Sequence, residues 1–384
     1  MKVITTTDEL VAFAHHAATS PYVTVDTEFL RERTYYSQLC LIQAATPNEA
    51  VIIDPLAEGL DLSPFLELLG NERVTKVFHA ARQDLEIFVK LMGTVPAPLF
   101  DTQIAAMVFG YGDQVGYEPL VRSVTGVQVD KGSRFTDWSR RPLTDKQLEY
   151  ALGDVTHLRD VYDALLQRLE QTGRGPWVEE EMGTLLNPAL YATLPEDAWQ
   201  RLKVRNVKPK ELGPLIEVAA WREREAQRRD IPRARVVKDD VLFEVARARP
   251  KGTDDLGRLR SVPQGFERSA AAKGLLDAVS RGVETSRDAL PHLDNKTREP
   301  GPPDVVELLR VLLKRQCEAH EVAPKLLASA SDLDALALDD EADIPALKGW
   351  RRDVFGALAL ELKHGQLSLG LERGRVTVLK NERA

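Results

Sequence analysis

The chain has 384 residues, 43% hydrophobic and 29% charged, with a formal net charge of −8 and only two cysteines. That length exceeds one ordinary core, so two or three domains of globular structure are expected. No apolar run reaches the ~18 residues of a membrane span and no basic-then-apolar leader opens the chain, so no membrane association is predicted and the cytoplasm is the expected compartment.

Cys40 and Cys317 match no zinc or disulfide spacing and read as reduced core residues. The charge is unevenly divided: residues 1–200 carry −13, 201–290 carry +7 and 291–384 carry −2. Attraction for a polyanion would therefore reside in the middle section.

In chain order, Lys2 to Thr5 reads as a short strand, followed by a helix capped near Thr7 with Leu10, Phe13 and Ala14 on one face. The run Val23 to Phe29 is a strand whose alternation places Asp26 and Glu28 on one face, with Val23 and Val25 on the other. Two acids converging in this way suit a hard divalent cation, and Mg²⁺ commonly pairs one or two carboxylates with phosphate oxygens. Gln38 to Gln43 and Ala50 to Pro55 extend a strand meander, and Val74 to His79 is a buried strand leading into a helix with Leu85, Phe88, Val89 and Met92 on its apolar stripe. Asp84 lies at the edge of that stripe, near the helix N-terminus. A longer helix starts at Thr144, where Thr144 and Gln147 form a capping box, and on it Tyr150 and Asp154 look in the same direction beside the apolar face. Taken singly, each of these signals also fits an ordinary role: a solvated strand end, a helix-dipole partner, a chance pair on a helix.

Taken in this order, Asp26-x-Glu28, Asp84 and Tyr150-x-x-x-Asp154 resemble the three motifs of the tyrosine-bearing subgroup of DEDD exonucleases. The runs Asp26 to Tyr36, His79 to Glu86, Phe100 to Gln103, Gly110 to Tyr117 and Asp137 to Pro142 are similar to those of the bacterial ribonuclease D family. Further on, Trp221-Arg-Glu, Asp230-Ile-Pro and Asp240-Val-Leu resemble a helicase-and-RNase-D C-terminal (HRDC) domain. Amphipathic segments from Val305 to Glu318 and from Gly349 to Leu362 look like a second, divergent one.

The resemblance implies a ribonuclease H-like α/β exonuclease domain with a mixed sheet over residues 1–172 and a helical linker over 173–205. After it come a basic HRDC domain over 206–290 and an HRDC-like domain over 298–376, both all-α. It further implies two divalent ions, Mg²⁺ or Mn²⁺, held by Asp26, Glu28, Asp84 and Asp154, with Asp26 bridging and Tyr150 orienting the attacking water. The implied activity is 3′→5′ exoribonuclease release of nucleoside 5′-monophosphates by a monomer. Its substrates would be single-stranded 3′ ends, those of tRNA precursors among them. The alternatives are a 3′→5′ DNA exonuclease using the same acids and a non-catalytic RNA-binding protein keeping the fold. Phe29 and His79 adjoin the motif acids and are candidates to touch the terminal nucleotide. Lys131, Arg134 and Arg141 are candidates for phosphate, and Asp101 for a supporting role behind the acids.

Overall fold

A computed structural model describes residues 2–129, 132, 136–204, 207–291 and 300–381. The candidate residues Lys131 and Arg134 lie outside the described residues.

The N-terminal half is built on a six-stranded mixed sheet. Its strands are β1 (Val3–Ile4), β2 (Tyr22–Leu30), β3 (Gln38–Ala45), β4 (Ala50–Ile53), β5 (Thr75–Phe78) and β6 (Leu99–Asp101), in the order β1-β4-β3-β2-β5-β6. β2, β3 and β4 form the antiparallel meander, while β1 joins β4, and β5 and β6 join beyond β2, in parallel. Helices α1 (Thr7–Ala17), α2 (Ser63–Gly70) and α3 (Arg82–Met92) cover one face. There Val23 and Val25 of β2 pack with Phe13, Phe65 and Phe88. α2 was not among the expected elements. Its eight residues are mostly apolar and lack a side-chain cap, so neither a periodic face nor a start signal marks it.

The opposite face is covered by α6 (Asp145–Thr172), assisted by α4 (Thr102–Val108) and α5 (Tyr117–Thr125). α6 begins at the Thr144–Gln147 capping box, as its sequence requires, and ends at Gly173 in the left-handed region. The Thr24 hydroxyl donates to the Val155 carbonyl at 2.9 Å, pinning β2 to the middle of α6.

After α7 (Gly175–Leu185), a second core forms around α8 (Pro209–Arg229), α9 (Arg233–Val236), α10 (Asp239–Ala248), α11 (Thr253–Gly257) and α12 (Ala270–Glu284). Ala198 and Leu202 belong to that core, so this packing unit begins ahead of residue 206. Its link to the nuclease half is Tyr35, whose hydroxyl contacts Glu223 and Arg233, while the Asp230 carboxylate accepts the Tyr35 and Tyr36 amides at 3.1 and 3.0 Å.

The last section holds α13 (Pro303–His320), α14 (Pro324–Leu327) and α15 (Ala330–Leu338). These are followed by a continuous run of α16 (Gly349–Arg351), a π turn (Arg352–Gly356) and α17 (Ala357–Lys363). It closes with a hairpin of β7 (Leu367–Glu372) and β8 (Arg375–Lys380), which adds strand structure to a section expected to be all helical. Among the described residues this section has no core of its own. Leu309, Leu312 and Phe355 share one continuous cluster with Phe109, Leu158 and Leu165 of the nuclease half. Trp350 stacks on Trp177 of α7 at 4.3 Å, and Arg351 pairs with Glu180 and Glu181.

Candidate active site

Because β2 presents alternate residues to α6, Asp26 and Glu28 meet Asp154 across the sheet–helix boundary. Ligand oxygens of these three carboxylates lie within 4.8 Å of one another. Among the described residues no lysine or arginine pairs with any of them. Burial, then Asp26 and Asp154, push the Glu28 carboxyl up to about 9. Burial pushes Asp154 up to about 7, opposed by the hydrogen bond that Tyr150 donates. Asp26 is raised well above the carboxylate range, by burial first and by Asp154 second. Acids so placed either hold protons or share a cation. The oxygen-only donor set fits a hard divalent ion such as Mg²⁺ or Mn²⁺.

Asp84 stands beside this cluster rather than in it. It is 7% exposed in the first turn of α3 and accepts the Thr27 hydroxyl from the other face of β2. Burial raises its carboxyl, and Asp26 raises it further. The four motif acids are thus neighbours, with Asp26 between Asp84 and the Glu28–Asp154 side.

The acids open into a cleft of about 510 Å³ lined by Phe29, His79, Gln103, Tyr117 and Tyr150, among others. A register shift between Glu28 and Phe29 turns Phe29 into that cleft. His79 Nδ1 lies 3.0 Å from the Thr102 hydroxyl and its ring meets Tyr117 edge-on at 5.5 Å. Burial holds its pKa below the usual histidine value, so His79 is a neutral wall of the cleft. Asp101 accepts the Ala80 and Ala81 amides at 3.0 and 2.9 Å and caps α4 through Gln103 at 2.8 Å. It thereby fixes Ala80 at a φ of 57°, a left-handed conformation costing about 1–3 kcal/mol, in the turn that launches Asp84.

Arg141 points away from the cleft. Its guanidinium grips Asp54 at 2.6 and 2.7 Å and donates to the Cys40 and Trp138 carbonyls, leaving it no reach to a phosphate there. Tyr117, conversely, received no role from the sequence although it ends one of the resembling runs. Its hydroxyl donates to the Gly153 carbonyl at 2.8 Å, next to Asp154, and burial raises its pKa.

Family models for a 3′-5′ exonuclease and for an HRDC domain match residues 1–170 and 214–279. Ribonuclease D of Nitrobacter hamburgensis is 54% identical over 98% of each chain, and that of Gluconacetobacter diazotrophicus is 50% identical over 97% of this chain and 95% of its own. The chain belongs to the ribonuclease D family. The crystal structure of Escherichia coli RNase D, described as an exoribonuclease involved in structured RNA processing, superposes with a TM-score of 0.79 at 32% identity. It covers 95% of this chain and 98% of that one. As a ribonuclease D-family enzyme, this protein is a hydrolase with a 3′-5′ exonuclease domain and a helical HRDC region. No helix among the described residues is long and apolar enough to cross a membrane.

Proposed function

We propose that this protein shortens RNA from its 3′ end, releasing nucleoside 5′-monophosphates, with Asp26, Glu28, Asp84 and Asp154 holding two divalent ions, Mg²⁺ or Mn²⁺. The observation that carries this reading is the cluster of Asp26, Glu28 and Asp154, unpaired by any described cation and facing an open cleft. When bound, such ions activate a water and neutralise charge developing on the phosphoryl group. Asp26, central among the acids, would help hold both ions. Tyr150, one turn before Asp154, aims the attacking water with its hydroxyl, since a phenol of pKa near 10 accepts a proton poorly. Phe29 and Tyr117 flank the terminal nucleotide, and His79 contributes an uncharged edge.

Residues 1–172 form the catalytic unit, and the section over 206–290, which lies within the stretch 201–290 that carries +7, supplies sequence-independent attraction that the acidic unit lacks. The section over 298–376 stands as a divergent second HRDC-like unit that completes the catalytic unit's core. The family role implies a cytoplasmic monomer acting on tRNA precursors and other structured RNAs.

The test is digestion of 3′- and 5′-labelled single-stranded RNA with Mg²⁺ or EDTA, by the wild type and by Asp26→Asn. Immediate mononucleotide release from the 3′ label, with stepwise shortening of the 5′-labelled strand that disappears without metal or Asp26, is expected. Tight RNA binding without cleavage would overturn the catalytic reading, and a preference for DNA 3′ ends would reassign the substrate.

A further inference from the structure

A second cavity, of about 390 Å³, lies where the nuclease half, the segment after α7 and the middle helical section meet. Five cations line it: Arg31, Arg82, Lys90, Arg201 and Arg233; among the described residues the only carboxylate lining it is Glu86. Two of the five are neutralised. Arg31 forms a two-pronged pair with Glu86 at 2.7 and 3.0 Å, and Arg233 pairs with the buried Glu223 at 2.5 and 2.6 Å. Arg82, Lys90 and Arg201 have no carboxylate partner among the described residues. Among the described residues Lys90 rests on the Tyr36 ring, 3.4 Å from its centre, and Arg82 lies close enough to Tyr191 to oppose the upward push that burial gives its phenol. Three unpaired cations converging on one concavity make an anion site, and their side chains are too far apart in sequence to reflect one solvated charge run.

The cavity adjoins the catalytic cleft through two short stretches of chain. Gln83 lines the cleft while Arg82 lines the cavity, and Phe29 lines the cleft while Arg31 lines the cavity. A strand leaving the acids across this divide passes from a negative region to a positive one. We propose that this cavity holds backbone phosphates of the RNA strand upstream of the nucleotide being removed, through Arg82, Lys90 and Arg201. The proposal rests on the exoribonuclease reading and adds to it a subsite formed jointly by catalytic and helical sections.

The experiment measures KM and kcat of the full-length enzyme with Mg²⁺ on RNAs from about two to about twelve nucleotides, at several salt concentrations. It compares the wild type, the double variant Lys90→Ala/Arg201→Ala, and Lys90→Arg/Arg201→Lys. All the side chains changed are exposed, and matching melting temperatures check that the fold is kept. For the longest RNA, the alanine variant is expected to raise KM about tenfold at unchanged kcat. It should also reduce the log–log salt slope by about 1.4, at about 0.7 per phosphate contact on a single strand. The shortest RNA is expected to show no change, and the charge-keeping variant is expected to behave as wild type. A KM change that is equal at all lengths, or absent, overturns the proposal. So does loss of the length dependence in the presence of free AMP, which would make the cavity a mononucleotide site. Failure of the wild type to cleave any RNA would instead strike the exoribonuclease reading itself.

Discussion

Stripping the metal from this protein should leave protons in its place, and the number is readable. With Glu28 pushed up to about 9 and Asp154 to about 7, the metal-free cluster at pH 7 carries nearly one proton on the first and half of one on the second. Asp26 and Asp84, also raised, add to that store. Binding Mn²⁺ at pH 7 should therefore expel about 1.5 protons or more, and the apparent affinity should climb about tenfold per pH unit for each proton lost between pH 7 and 9. Calorimetric titration of the EDTA-treated enzyme in HEPES and in Tris gives the proton count from the dependence of the observed enthalpy on buffer. Stability follows the same linkage. The folded-state pKa values lie above the unfolded ones, so the metal-free fold binds more protons than the unfolded chain between about pH 4.5 and 9. Its stability is then greatest at the low end of that window and falls as pH rises through it, by up to ~1.4 kcal/mol per pH unit per group. Added Mn²⁺ should flatten that decline. Buffer-independent enthalpies at pH 7 would refute the reasoning, because the carboxylates would then already be ionised without metal.

Tyr150→Phe should lower kcat by about 10²-fold with little change in KM, as expected for a group aiming a water, and steady-state kinetics on a short RNA would check it. In the same variant Asp154 loses its donor, so its carboxyl should titrate still higher by NMR. Arg141→Ala should destabilise the protein by about 3 kcal/mol in urea, because it strands the Asp54 carboxylate at 8% exposure. An RNA-contact role would instead show as a reduced salt slope with stability intact. Truncation after residue 290 should give an aggregating, dye-binding protein, since it strips Leu309, Leu312 and Phe355 from the core they share with Phe109 and Leu158. A monomeric, active fragment in gel filtration would contradict this.

Much of the site was legible because its signals are local and periodic. Strand alternation alone puts Asp26 with Glu28, and the capping box at Thr144 fixes the phase of α6 so that Asp154 faces them. That Asp84 would stand beside the trio, bound to Thr27, was not legible, because Thr27 points to the face opposite Asp26 and Glu28 and meets α3 there, a packing that no local pattern in the sequence shows. Arg141 misled for a related reason: a guanidinium in a loop shows nothing in sequence of a buried carboxylate 87 residues away. The closing hairpin did leave a trace, with Leu367, Leu369 and Leu371 alternating before Arg373 and Gly374, both at positive φ. Its strands are six residues long, and the all-α domain that the resemblance implied over 298–376 took in β7 and the start of β8. Most hidden was the sharing of the core, since an amphipathic helix such as α13 reads the same whether it buries its stripe within its own section or against another.

The end of α4 and the backbone leading from it to α5, beside the cleft, are held by residues made much later. Ala323 donates its amide to the Met107 carbonyl at 2.8 Å, and Lys325 donates to Asp113 across 212 residues of sequence. Gly110 adopts a φ of 71° so close to Glu321 that a Cβ there would lie 2.9 Å from its carbonyl. At about 5–20 residues per second, the ribosome delivers Lys325 roughly 10–40 s after Asp113. The wall carrying Tyr117 is therefore fastened only after residues 321–325 have been made, so the cleft is fully walled only once the helical sections that follow the nuclease half are in place.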